Sequence, residues 1–97
     1  MDKNRIKTFA DQVIGDMGSA MGAGLAYVGT KVGLFRSMAG AGPINADDLA
    51  KTTGLQPRYV TEWLKGMTCA RYLDYDPEND TYELPDEHAY LLASEGS

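Results

Sequence analysis

Reactive side chains are scarce in this sequence. It holds one cysteine (Cys69), one histidine (His88) and one tryptophan (Trp63) in 97 residues. A single thiol permits no intramolecular disulfide, and it fits a reducing, intracellular setting. One His and one Cys fall short of the ligand set of a structural zinc, so no metal site is expected. No Ser/His/Asp or Cys/His set can be assembled and no pair of carboxylates sits in an apolar stretch, so no catalytic residue is assigned. Long apolar runs are missing too. Asp16 interrupts the best candidate before it reaches the roughly 18–20 residues of a membrane span, and nothing resembles a signal peptide. The expectation is a cytoplasmic protein. Basic residues are outnumbered, nine Lys and Arg against 14 Asp and Glu, for a net charge of −5. Residues 1–36 carry five basic groups against three acids, a net of +2, which leaves −7 on the remainder. Such a surface is unfavourable for phosphate backbones and anionic membranes.

What is present is a pattern of alternating periods between Asn45 and Leu84. Asn45 is placed to cap a helix, with Asp47 and Asp48 in the first turn where the helix dipole favours anions. That helix should run from Ala46 to Thr53 and stop at Gly54, which tolerates the left-handed conformation. Pro57 suits the first position of a second helix, since its missing N–H would be unpaired there anyway. Val60, Trp63, Leu64, Met67 and Ala70 then recur at helical spacing and form one buried stripe. After Arg71 the period becomes two. Leu73 and Tyr75 alternate with Asp74 and Asp76, Pro77-Glu78-Asn79-Asp80 turns the chain, and Tyr82 and Leu84 share a face. This is a β-hairpin. The fold expected is mainly α, a winged helix-turn-helix over residues 41–97 with a two-stranded wing, preceded by N-terminal helices over residues 1–40.

The N-terminal segment has a long helical pattern from residue 3 to residue 38, with Ile6, Phe9, Val13, Met17, Met21 and Leu25 following at steps of three or four. Six glycines lie within it, each costing about 0.5–1 kcal/mol against alanine in a helix interior. A break is therefore expected near Met21–Gly24. A small domain has too little surface to bury the first of the two resulting helices, so part of it should meet a second chain. The expectation is a homodimer, with Phe9, Val13, Gly18 and Gly22 at the seam. Met38–Pro43 reads as a loop. Pro85-Asp86-Glu87 opens a last helix in which His88, Leu91 and Leu92 share a face. The closing Ser-Glu-Gly-Ser offers no cap and no further core, and reads as a chain that continues beyond Ser97.

Four features invite a functional reading. The glycines from Gly22 to Gly29 could suggest a dinucleotide or S-adenosylmethionine loop, but such a loop follows a strand and needs tighter spacing. Helix–helix packing accounts for them better. His88 has Asp86 and Glu87 beside it, yet consecutive helical residues point in different directions, so a packing or surface role is expected. DNA binding is the sharper alternative, as a winged-helix transcriptional regulator. Against it, Glu62 sits amid Arg58, Thr61, Lys65 and Thr68 on the outward face of the second helix. The wing presents Asp74, Asp76, Glu78, Asp80 and Glu83 where phosphate neutralisation needs cations. Methionines at helical spacing, Met17 and Met21, are more often core than an adaptable lining for an apolar ligand.

Several stretches are similar to a known family: Ala26-Tyr27-Val28-Gly29-Thr30-Lys31-Val32-Gly33-Leu34-Phe35, Gly42-Pro43, Leu49-Ala50-Lys51-Thr52-Thr53-Gly54-Leu55, and above all Arg58-Tyr59-Val60-Thr61-Glu62-Trp63-Leu64 followed by Tyr72-Leu73-Asp74-Tyr75-Asp76. Together they resemble the N-terminal winged-helix domain of a bacterial family of class I S-adenosylmethionine-dependent methyltransferases, from about residue 20 to residue 92. Arg71 departs from the pattern, since glycine is expected just before the wing. The resemblance implies a dimerisation and substrate-lid part, followed in the parent enzyme by a Rossmann-like catalytic domain that this chain lacks. It implies no cofactor site here, with S-adenosylmethionine bound by the parent. It also implies Trp63, Tyr59 and Leu64 as core, Gly29 and Gly33 as close-packing points, and Met17, Met21, Tyr27 and Lys31 as a substrate-facing lid surface.

Overall fold

A computed structural model describes residues 1–94; the closing Glu95, Gly96 and Ser97, and with them most of the expected uncapped end, lie outside the described residues. Five helices and one hairpin follow in order: α1 (Lys3–Lys31), α2 (Leu34–Met38), α3 (Ala46–Thr53), α4 (Pro57–Cys69), β1 (Asp74–Asp76), β2 (Thr81–Glu83) and α5 (Asp86–Leu92).

The helix-turn-helix forms as its local chemistry dictates. Asn45 accepts the Asp48 N–H at 2.8 Å as the cap of α3, and Gly54 ends that helix at φ 74°. Pro57 opens α4, which buries Val60, Trp63, Leu64 and Met67. Tyr59, expected in this core, is instead 38% exposed; next to Val60 on a helix, it points away from the stripe. The core closes with Leu34, Phe35 and Met38 of α2, Leu49 of α3, and Leu73, Tyr82 and Leu84 around the wing. Phe35 meets the Trp63 ring edge-on at a centroid distance of 5.0 Å. The wing is an antiparallel pair with Asp74 opposite Glu83, Tyr75 opposite Tyr82 and Asp76 opposite Thr81. Ile44 adds a one-residue bridge, exchanging two 2.8 Å backbone hydrogen bonds with Tyr82. In α5, His88 and Leu92 are half-buried, but Leu91 is 73% exposed and stands off the buried face.

Two expectations about the first segment are corrected. The helix does not break at Met21–Gly24; α1 is continuous for 29 residues. Two of its glycines are compensated by close packing, since Gly22 lies against Ala70 and Gly29 against Trp63. The break falls at Gly33, in the left-handed region at φ 82°. Gly33 is therefore a turn residue, with nothing near its missing Cβ, and not a packing point. The turn swings Leu34 and Phe35 back under α4 and into the core.

The C-terminal part of α1 is anchored; the rest projects. Residues 1–21 are all exposed. The molecule is 54 Å long with a radius of gyration of 15.7 Å, against about 12–13 Å for a compact domain of this length.

Candidate functional site

A wide hollow on the surface lies where α1 leaves the body. Gly22 approaches α4 closely enough that an added Cβ would stand 3.2 Å from Ala70. Two turns further on, Gly29 lies against the indole of Trp63, whose Nε1–H donates to the Leu25 carbonyl at 2.9 Å. That bond fixes the distance between the two helices. Before Gly22 they diverge, and the wedge between them is an open groove of about 690 Å³. Its floor is Gly15, Gly18, Gly22 and Gly66; Met21 and Leu25 form one wall, and Cys69, Arg71 and Tyr72 the other.

The end of α4 shapes this second wall. The Tyr72 N–H bonds the Met67 carbonyl at 2.9 Å and the Arg71 N–H bonds the Thr68 carbonyl at 3.0 Å. This paired capping pattern puts the donor of the inner bond in the left-handed region. Arg71 occupies it at φ 68°. The departure noticed in the sequence thus marks a backbone position that favours glycine. Arg71 also borders a second hollow of about 340 Å³ with Tyr72, His88 and Leu92. His88 Nδ1 lies 2.7 Å from the Tyr72 carbonyl, a contact that ties α5 to the segment entering the wing.

The four lid candidates do not converge. Met21 borders the groove. Met17 is 62% exposed on the projecting part of α1, and Tyr27 faces away from α4 with the Lys31 ammonium 5.6 Å from its ring centroid. Among the seam candidates, Phe9 and Val13 are exposed. Gly18 is open on the groove side, and Gly22 is already covered by Ala70 of its own chain. The groove residues Cys69, Arg71 and Tyr72 were not singled out as a site by sequence; the one signal was the arginine where glycine was expected.

On the wing, all five acids expected there are exposed. The Tyr75 hydroxyl donates to Asp80 Oδ1 at 2.9 Å, and this hydrogen bond raises the phenol above its usual value, with burial and nearby carboxylates adding to it. Asp76 accepts from the Asn79 side chain at 2.8 Å and from the Glu78 N–H at 2.9 Å. These bonds hold its carboxyl below the usual range. The turn satisfies the carboxylates of Asp76 and Asp80 internally and adds no cation. The outward face of α4 keeps Glu62 exposed between Arg58 and Lys65.

A helix-turn-helix followed by an antiparallel hairpin, with the second helix buried through Trp63 and Leu64, defines a protein of the winged-helix class. The chain belongs to the Rv2258c-like winged HTH domain family, whose profile matches residues 20–94. Solved structures share the fold, LepI and CalO1 among them. LepI in complex with SAM superposes at a TM-score of 0.76 with 21% identity, over 92% of this chain and 24% of that one. CalO1, a methyltransferase in calicheamicin biosynthesis in its SAH-bound form, superposes at 0.70 with 20% identity, over 99% of this chain and 27% of that one. The chain thus spans about a quarter of the length of these two structures. No curated protein matches it. No helix among the described residues is long and apolar enough to cross a membrane.

Proposed function

We propose that this chain is the non-catalytic dimerisation and substrate-lid part of an S-adenosylmethionine-dependent methyltransferase whose catalytic domain lies outside these 97 residues. The observation that carries the proposal is the projecting half of α1. Residues 1–21 are exposed, yet Ile6, Phe9, Val13, Ile14 and Met17 lie along them, from 38% to 68% exposed. An isolated helix of this length is marginal in water, and an apolar stripe of this size marks an interaction surface. The likeness of the fold to CalO1, a methyltransferase, and to LepI in complex with SAM supports a methyltransferase as the parent. The glycine-floored groove supports the lid, because it offers a concave, largely apolar wall to a ligand held by another domain. A cytoplasmic setting fits the single cysteine and the absence of an apolar span.

Sedimentation should show a dimer, and calorimetry with S-adenosylmethionine should show no heat of binding to this chain alone. A monomer, or binding with one-to-one stoichiometry, would overturn the assignment. The second reading is a DNA-binding regulator, favoured by the helix-turn-helix itself and opposed by the exposed acids of the wing. It requires a salt-dependent shift of duplex DNA; the expected result is no shift even at low salt.

A further inference from the structure

From Met17 onward two tracks diverge on α1. One passes through Met21 and Leu25, turns toward α4 and enters the chain's own core. The other passes through Ala20, Gly24, Tyr27 and Lys31 and stays exposed. At about 100° per residue, this second track shares a face with Asp2, Ile6, Phe9 and Val13. Its spacing of threes and fours is that of a helix meeting one partner helix along its length. The face is lopsided. Its first half carries Ile6, Phe9 and Val13, and the stretch just past Met17 carries only Ala20 and Gly24, where an added Cβ at Gly24 meets nothing, before Tyr27 and Lys31 close the face.

A helix face with large side chains on one side of its middle and small ones on the other complements a reversed copy of itself. With a two-fold axis beside Met17, Phe9 of one copy lies over Gly24 of the other, Val13 over Ala20, and Ile6 beside Tyr27. Asp2 then meets Lys31. Asp2 caps its own helix through Oδ1, which leaves Oδ2 for the lysine. The inward half of a cylinder about 10 Å wide and 45 Å long has an area of about 700 Å², close to the roughly 800 Å² per partner of a stable complex. Gly22 and Gly29, which seat α4, lie about half a turn from Ala20 and Gly24, so the two folded bodies sit on opposite outer sides and do not collide.

We propose that α1 pairs antiparallel with α1 of a second copy along this face, with the two-fold axis beside Met17. The proposal rests on the dimer of the preceding reading and specifies its register. It moves the small side of the seam from Gly18 and Gly22, which face α4, to Ala20 and Gly24.

The test uses the full chain with Cys69→Ser as background. Oxidised Met17→Cys should run as a covalent dimer on a non-reducing gel. Val13→Cys and Ala20→Cys should each stay uncrosslinked alone, because like positions then lie about 10 Å apart along the axis, beyond disulfide reach. Mixed and re-equilibrated, these two should crosslink to each other. Gly24→Leu should sediment as a folded monomer, while Gly18→Leu remains a dimer. A dimer that fails to crosslink through Met17→Cys, or in which Val13→Cys and Ala20→Cys each self-crosslink, overturns this register but leaves dimerisation standing. A monomeric parent chain overturns both.

Discussion

The contact between Gly29 and Trp63 gives a sharp perturbation, Gly29→Ala. Two effects oppose. Alanine is better than glycine inside a helix by about 0.5–1 kcal/mol. Against this, the added Cβ would stand 2.5 Å from Trp63 Cζ2 and 2.9 Å from Cε2 and Nε1, where carbon atoms pack comfortably at about 3.5–4.0 Å. The indole or α1 must therefore move by about 1 Å. The indole is held on both sides, by the Phe35 ring at 5.0 Å and by the 2.9 Å bond to the Leu25 carbonyl. Overpacking of this kind costs about 1–3 kcal/mol, and losing the indole hydrogen bond adds about 0.5–1.5 kcal/mol. The net expectation is a loss of about 1–3 kcal/mol, or a fall in Tm of roughly 5–20 °C for a domain of this size. Circular dichroism gives the midpoint, and because Trp63 is the only tryptophan, its fluorescence reports the contact directly. Gly15→Ala is the control. It lies in the same helix with nothing within 4 Å, and it should raise Tm. The double variant Gly29→Ala/Trp63→Phe should be less destabilised than the two single effects combined, as expected of residues in contact. A Gly29→Ala protein as stable as the Gly15→Ala protein would refute the claim that this contact positions α1.

Arg71 sits at φ 68°, a conformation costing a non-glycine residue about 1–2 kcal/mol; Arg71→Gly should raise Tm in thermal melts, by less than that full cost because glycine also gains freedom when unfolded. Asn45→Ala removes the cap of α3 and should cost about 1 kcal/mol, read as a lower urea midpoint with unchanged slope. The wing should respond to pH at both ends. Asp76 is held below its usual value by Asn79 and Glu78, so its contribution is full above the usual carboxylate range and is lost as pH falls through the depressed value. Tyr75 is raised, chiefly by Asp80, so its contribution is present below the ordinary phenol value and is lost as pH rises through the elevated one. Tyr82 is raised as well, by burial and then by Asp80, so tyrosine absorbance should show two late-titrating phenols, of which that of Tyr75 shifts down the more in Asp80→Asn; an unshifted titration would remove the hydrogen bond from the argument.

The helix-turn-helix and wing were legible because each rests on a local rule. Asn45, Gly54 and Pro57 mark helix ends by their own backbone chemistry, and the change of period after Arg71 reports a strand wherever it packs. Tyr59 was misread because the family motif places it beside Trp63 without saying which side of the helix faces inward. The groove was not legible, since its walls come from residues some fifty positions apart in the chain, joined by the Trp63 bond to Leu25.

The glycines of α1 separate the two sources of information. By itself the sequence determined that this segment is helical in period, apolar along one side and too large for its own domain to cover, since those properties follow from side-chain spacing. Tertiary structure alone decided where the helix ends and which glycines matter. Gly22 and Gly29 are offset by contacts with Ala70 and Trp63, so the helix runs through the expected break and turns only at Gly33. The penalty for glycine is local, whereas the compensation comes from a helix more than thirty residues away.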